Sequence, residues 1–173
     1  MPVQTRSQTR SQTQSQIQSQ IHSQSNFFSI TYPNGDVYEG ELKNGERNGK
    51  GKMTYTNGTV YDGYWRNYEF SGKGKMTFPD GSSYVGNWLN GKKHGKGKYC
   101  NIYGDKYIGD FIEGEIKGKG VMFYKCGSVY SGFWINGQKI GNGVYTDADG
   151  DKQVQKWKKN RKNGIWTNVR DDK

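Results

Sequence analysis

The chain has 173 residues, of which 31% are hydrophobic and 14% aromatic, with 26 glycines and a formal charge of +10. That length suits one domain with a tail to spare, and the composition requires a core of Tyr, Trp and Phe set against glycine instead of Leu, Ile and Val. No run approaches the roughly 18 apolar residues of a bilayer-spanning helix, no secretory signal is evident, and Cys100 and Cys126 lack CxxC spacing. The expectation is therefore an intracellular protein, cytoplasmic or peripheral to a membrane, with neither a disulfide framework nor a zinc site.

Residues 1–26 come first, and 17 of them are Gln, Ser or Thr, with Arg6 and Arg10 and no acid. Such a stretch cannot bury enough apolar surface to offset its ordering entropy, which predicts a disordered tail. At Phe27 the composition changes. A half unit, ITYPNGDV (30–37), leads into five consecutive units of 23 residues without a gap: 38–60, 61–83, 84–106, 107–129 and 130–152.

Tyr38, Tyr61, Tyr84, Tyr107 and Tyr130 hold position 1 of the unit, with Gly at position 3. Leu42, Trp65, Trp88, Phe111 and Trp134 hold position 5. Glycine recurs at position 12, and Gly51, Gly74, Gly97, Gly120 and Gly143 hold position 14. A decayed unit follows over 153–173, where Gln153 and Gln155 replace Tyr and Gly, Trp157 is kept, and basic residues accumulate. A degenerate repeat or cap is expected there, since the last unit of a stacked array has one face without a neighbour.

Apolar residues and glycines at positions 1, 3 and 5, and again at 12, 14 and 16, have a period of two, so each unit holds two strands with that set on one face. Asn44-Gly45, Asn57-Gly58 and Pro79-Asp80-Gly81 supply turn chemistry between strands. The fold class that follows is all-β: an elongated single-sheet antiparallel meander of tandem hairpins, about 50 to 60 Å long at about 4.8 Å per strand. Parity predicts that the fifth residue opposes position 12 or 14, setting a large ring on bare backbone.

The run YEGELKNGERNGKG and its four in-phase copies resemble the MORN (membrane occupation and recognition nexus) repeat over about residues 28–152, departing from it at Leu42 and Phe111, which stand in place of Trp, and in the last unit. The resemblance implies a scaffold, dimerisation element or adaptor, in a family of which some members are proposed to contact phospholipids. Catalysis is not a general property of the repeat.

Chemistry-bearing constellations are scarce. His22 lies in the tail and His94 is expected in a turn, so the usual general base is wanting, and GKGK at 49–52, 72–75 and 95–98 lacks the strand, long loop and helix of a phosphate-binding site. The polar feature that does recur is a comb of Lys50, Lys52, Lys73, Lys75, Lys96, Lys98 and Lys119 at positions 13 and 15, on the face away from the rings. Anionic lipid could engage it at about 1 kcal/mol per lysine. Against that, Glu39, Glu41, Asp62 and Asp110 share the face and can pair with it across strands.

Six of the ten net charges fall in residues 152–173, which leaves the array nearly neutral, and nucleic acid is not expected as a partner because no recognised nucleic-acid motif accompanies that basic end. The expected function is a non-enzymatic scaffold or adaptor that holds another protein or a second copy of itself, and the alternative is a peripheral module for anionic phospholipid. No cofactor, metal or small-molecule substrate is expected.

Overall fold

The computed structural model describes residues 27–158, 161–162 and 167–168. Twelve strands run in chain order: β1 (Phe27–Thr31), β2 (Val37–Lys43), β3 (Glu46–Thr54), β4 (Val60–Arg66), β5 (Glu69–Thr77), β6 (Ser83–Leu89), β7 (Lys92–Cys100), β8 (Lys106–Ile112), β9 (Glu115–Phe123), β10 (Val129–Ile135), β11 (Gln138–Thr146) and β12 (Lys152–Lys158). Each pairs antiparallel with the next, so spatial order equals chain order in one open sheet, and two short strands, β13 (Arg161–Lys162) and β14 (Thr167–Asn168), both pair with β12. No helix occurs among the described residues.

Each unit is a seven-residue strand, a two-residue turn and a nine-residue strand, as in β4 and β5. Asn44-Gly45, Asn90-Gly91 and Asn136-Gly137 have positive φ at both turn residues, the backbone that joins twisted strands by two residues. Asn67-Tyr68 adopts the same turn with Tyr68 at φ 67°, a conformation that costs a side-chain-bearing residue about 1 kcal/mol. The carbonyl of Tyr68 accepts from Arg47 Nη2 at 3.2 Å, and its ring lies 5.2 Å from the same guanidinium.

The register corrects the parity expectation within the hairpin. A two-residue turn forces position 5 opposite position 10, so Trp65 faces Phe70 and Trp88 faces Lys93. Farther from the turn Gly63 faces Gly74, and the two registers are reconciled by a bulge in β5 at Gly72 and Lys73, with φ of 62° at Gly72. Between hairpins the expectation holds, with Gly49 opposite Trp65, Gly72 opposite Trp88, Gly95 opposite Phe111 and Gly118 opposite Trp134.

Strand pairing also extends past the half unit and past the fifth unit. It starts at Phe27, opposite Glu41. At the other end β12 keeps the register, with Trp157 opposite Gly141 and a buried Gln155 opposite Gly143. The expected disorder of 1–26 lies outside the described residues, as do most of the residues after Lys158.

Candidate interaction surface

The first face of the sheet is consumed by its own rings. Tyr38, Tyr61, Tyr84, Tyr107 and Tyr130 are fully buried, and Trp65, Trp88, Phe111 and Trp134 are at most 5% exposed. Each position-5 ring stands edge-on between the tyrosine of its own unit and that of the unit before: Trp65 is 5.1 Å from Tyr61 and 5.5 Å from Tyr38, and Trp88 is 5.1 Å from Tyr84 and 5.4 Å from Tyr61. The series continues through Phe111 and Trp134 to Trp157. Such T-shaped pairs add about 0.5 to 1.5 kcal/mol each beyond burial.

The bulge and the glycines have a common cause. The hydroxyl of Tyr61 donates to the Tyr64 carbonyl at the bulge at 2.8 Å, and Tyr38 and Tyr84 do the same to Glu41 and Asn87 at 2.8 and 2.9 Å. To reach it the ring lies flat over positions 3 and 14, where a Cβ on Gly74 would stand 2.5 Å from the Tyr61 oxygen. Burial pushes the Tyr38, Tyr84 and Tyr107 hydroxyls up to about 12, and moves Tyr61 and Tyr130 in the same direction.

Position 10 completes this face, and it alternates between cations and apolar residues: Arg47, Phe70, Lys93, Ile116, Lys139. The guanidinium of Arg47 lies 4.8 Å from the Trp65 ring centre. Lys93 Nζ lies 5.0 to 5.7 Å from the rings of Tyr99, Tyr84 and Phe78, and Lys139 Nζ lies 4.4 Å from those of Tyr130 and Trp157. Desolvation lowers the pKa of both lysines, while the ring faces favour the cation.

The comb lysines all sit on the second face and all are exposed. Their surroundings differ along the array. One cross-strand row runs Glu39, Lys52, Asp62, Lys75, Val85, Lys98, Ile108, Val121, Ser131, Val144, Val154, each residue opposite the next. Over β2 to β5 it alternates acid and base, with Lys52 Nζ 3.9 Å from Glu39. Over β6 to β12 it is mostly apolar. In the neighbouring row Lys50 faces Tyr64, Lys73 faces Asn87, Lys96 faces Asp110 at 2.7 Å, and Lys119 faces Phe133.

An open trough of about 660 Å³ lies over the apolar half, lined by Val85, Ile108, Val121 and Phe133, with Lys96, Lys98 and Lys119 along it and the backbone of Gly97, Gly109, Gly120 and Gly132 between them. His94, expected in a turn, instead lies in β7 opposite Asn87. Among the described residues no group of three or more His, Cys, Asp or Glu is placed to hold a metal ion.

A sequence profile of the MORN repeat matches residues 38–60, 61–83, 84–101, 107–129 and 130–152, more than half of the chain. The chain belongs to the MORN repeat family. No curated protein matches this MORN chain by sequence. Among solved structures the array is similar to the TCP domain of SAS-4 of Drosophila melanogaster in complex with a proline-rich motif of Ana2. The two share 16% identity over 76% of this chain and 72% of that one, with a TM-score of 0.52. The G-box domain of the microcephaly protein CPAP matches at 19% identity over 75% of each chain, with a TM-score of 0.44. At these identities the likeness is one of fold.

Two features of the MORN array were missed in the sequence although their signals were present. Asn-Gly turns of two residues place position 5 opposite position 10, and Val85, Ile108 and Val121 break the acid–base alternation of the comb.

Proposed function

We propose that the array is a non-catalytic scaffold that holds another protein along its second face. The observation that carries this reading is the asymmetry of the two faces. The first is filled by its own ring spine, whereas the second exposes Val85, Ile108, Phe133 and Val144 at 37 to 48% beside lysines. A contiguous apolar patch left open on one face marks an interaction site. The SAS-4 domain, whose fold is similar, is in complex with a proline-rich motif of Ana2, which supports a protein partner for this array. Pairing of Lys52 with Glu39, and of Lys96 with Asp110, weakens the alternative of a uniform cationic comb for phospholipid.

Affinity capture from the source cell with the intact chain, in parallel with sedimentation on neutral and acidic vesicles at two salt concentrations, tests the reading. A stoichiometric protein partner and no salt-sensitive pelleting is the expected result, because a lysine-driven membrane contact fades as the Debye length shrinks. Salt-sensitive pelleting on acidic vesicles, with no protein captured, would replace the scaffold with a lipid module.

A further inference from the structure

The trough over β6 to β11 is specific in charge as well as in shape. Val85 on β6, Ile108 on β8 and Val121 on β9 share one cross-strand row, interrupted by Lys98 on β7, and Phe133 on β10 stands in the row beside it, so the apolar residues form a band along the array and across the strands. The cations beside that band exceed the acids. Lys96 is neutralised by Asp110, while Lys98 and Lys119 form no ion pair among the described residues, and the Lys119 ammonium rests 5.5 Å from the Phe133 ring centre.

We infer that this trough holds an extended segment of another protein that carries apolar side chains with carboxylates beside them. The inference rests on the scaffold reading and deepens it. Charge selects against the other occupants. Residues 1–26 of this chain carry two arginines and no acid, and a second copy laid trough to trough would bring Lys98 and Lys119 toward cations of its own kind. A membrane fits poorly because the apolar side chains line a trough with lysines along it.

Length matches too: an extended left-handed segment advances about 9.3 Å in three residues, close to the about 9.6 Å spanned by two strands. Every third side chain of such a segment therefore meets the array at an equivalent point of successive hairpins. Apolar side chains at that spacing enter the trough, and acidic neighbours reach Lys98 and Lys119.

The probes are short fluorescein-labelled peptides of repeated Leu-Glu-Pro, Leu-Lys-Pro and Ser-Glu-Pro, with binding to the full chain read by fluorescence anisotropy. Leu-Glu-Pro is expected to bind about tenfold more tightly than either control, since one control lacks the charge and the other the apolar group. Lys98→Glu and Ile108→Ser, both at exposed positions and verified as folded by circular dichroism, should each lose most of that advantage. Lys125→Glu, an equal charge change in a turn, should not. Equal binding of Leu-Lys-Pro, or binding indifferent to Lys98→Glu and Ile108→Ser, overturns the proposal, as does an absence of binding by all three probes. Partner capture by the intact chain that survives Ile108→Ser would keep the scaffold and remove only the trough.

Discussion

The indole of Trp65 donates its N–H to the carbonyl of Gly51, in the preceding hairpin, at 2.9 Å. Trp88 and Trp134 repeat the bond to Gly74 and Gly120 at 3.2 and 3.1 Å, so each of these three units is pinned to the one before by a ring that packs on two tyrosines and bonds the strand between them. Phe111 has no N–H and keeps only the packing. Trp65→Phe should cost about 1 to 2 kcal/mol, the worth of a buried hydrogen bond and its orphaned acceptor, whereas Trp88→Ala should cost about 3 kcal/mol or more. Lys96→Ala, on the other face and mostly exposed, should be nearly neutral by urea denaturation. Equal losses for Trp88→Ala and Lys96→Ala would mean that the faces are reversed.

Glycines of the repeat serve two different ends, and substitution separates them. A Cβ at Gly74 meets the buried Tyr61 ring, with Cζ at 2.7 Å, while one at Gly81 meets nothing within 4 Å and suffers only its φ of +85°. Gly74→Ala should therefore cost about 2 kcal/mol or more through overpacking and displacement of the ring, and Gly81→Ala about 1 kcal/mol through backbone strain. Thermal melts of the two variants rank them, and the opposite order would refute the tyrosine-on-glycine packing.

Lys93 occupies the slot that Phe70 and Ile116 fill in the adjacent units. Replacing it with Phe should leave stability within about 1 kcal/mol, because the slot already accepts apolar groups elsewhere. Lys93→Glu should cost about 2 kcal/mol or more, since a carboxylate would be desolvated against the negative faces of Phe78, Tyr84 and Tyr99. Chemical denaturation of the pair decides whether the ring faces hold a cation or merely tolerate a long side chain.

The buried tyrosines predict the alkaline limit of the fold. In the unfolded chain they ionise near the ordinary value of 10.0, whereas in the fold Tyr38, Tyr84 and Tyr107 are pushed up to about 12. Between those values the unfolded state has released protons that the native state retains, so stability present below pH 10 falls as pH rises toward 12. Lys93 and Lys139, whose pKa is lowered, act in the opposite sense by losing a buried charge as pH rises, but the tyrosines outnumber them. The urea midpoint should fall across that window while tyrosinate absorbance at 295 nm appears together with unfolding. A flat midpoint would mean that these hydroxyls are not desolvated.

The strands, their order and the ring-bearing face were legible because a period of two repeated in five units of equal length leaves little freedom. Register was not obtained from parity alone. Asn44-Gly45 was recognised as a turn, and carrying its two-residue length back along the strands would have placed Leu42 opposite Arg47, but the two-residue bulge beyond that pair keeps the same parity and leaves no mark in the period of two. The comb was legible as seven lysines on one face, and its division into halves was not, because that depends on which residues stand beside Lys75 and Lys98 across the strands.

The register also sharpens a deletion test of the repeat unit. Removing residues 84–106 joins Ser83 to Tyr107, so that β8 replaces β6 beside β5 with the same pairs: Tyr107 opposite Met76, Gly109 opposite Gly74, and Phe111 opposite Gly72, where Tyr84, Gly86 and Trp88 now stand. Phe111 would stand edge-on to Tyr61 as Trp88 does, and the trough would shorten by one hairpin. That variant should fold cooperatively, with a smaller denaturant slope because less surface is exposed on unfolding. Removing only 84–94 places β7 beside β5 instead, with Gly95 opposite Met76 and Tyr99 opposite Gly72. The ring spine is then interrupted, since Gly95 stands where Tyr84 stood and Tyr99, in the place of Trp88, has no position-1 tyrosine of its own strand to pack on. This half-unit variant should lose its cooperative transition or unfold at much lower urea. If circular dichroism and urea denaturation show both deletions equally tolerated, the hairpin is not the structural unit, and the inter-unit pinning by Trp65, Trp88 and Trp134 is not what holds the sheet together.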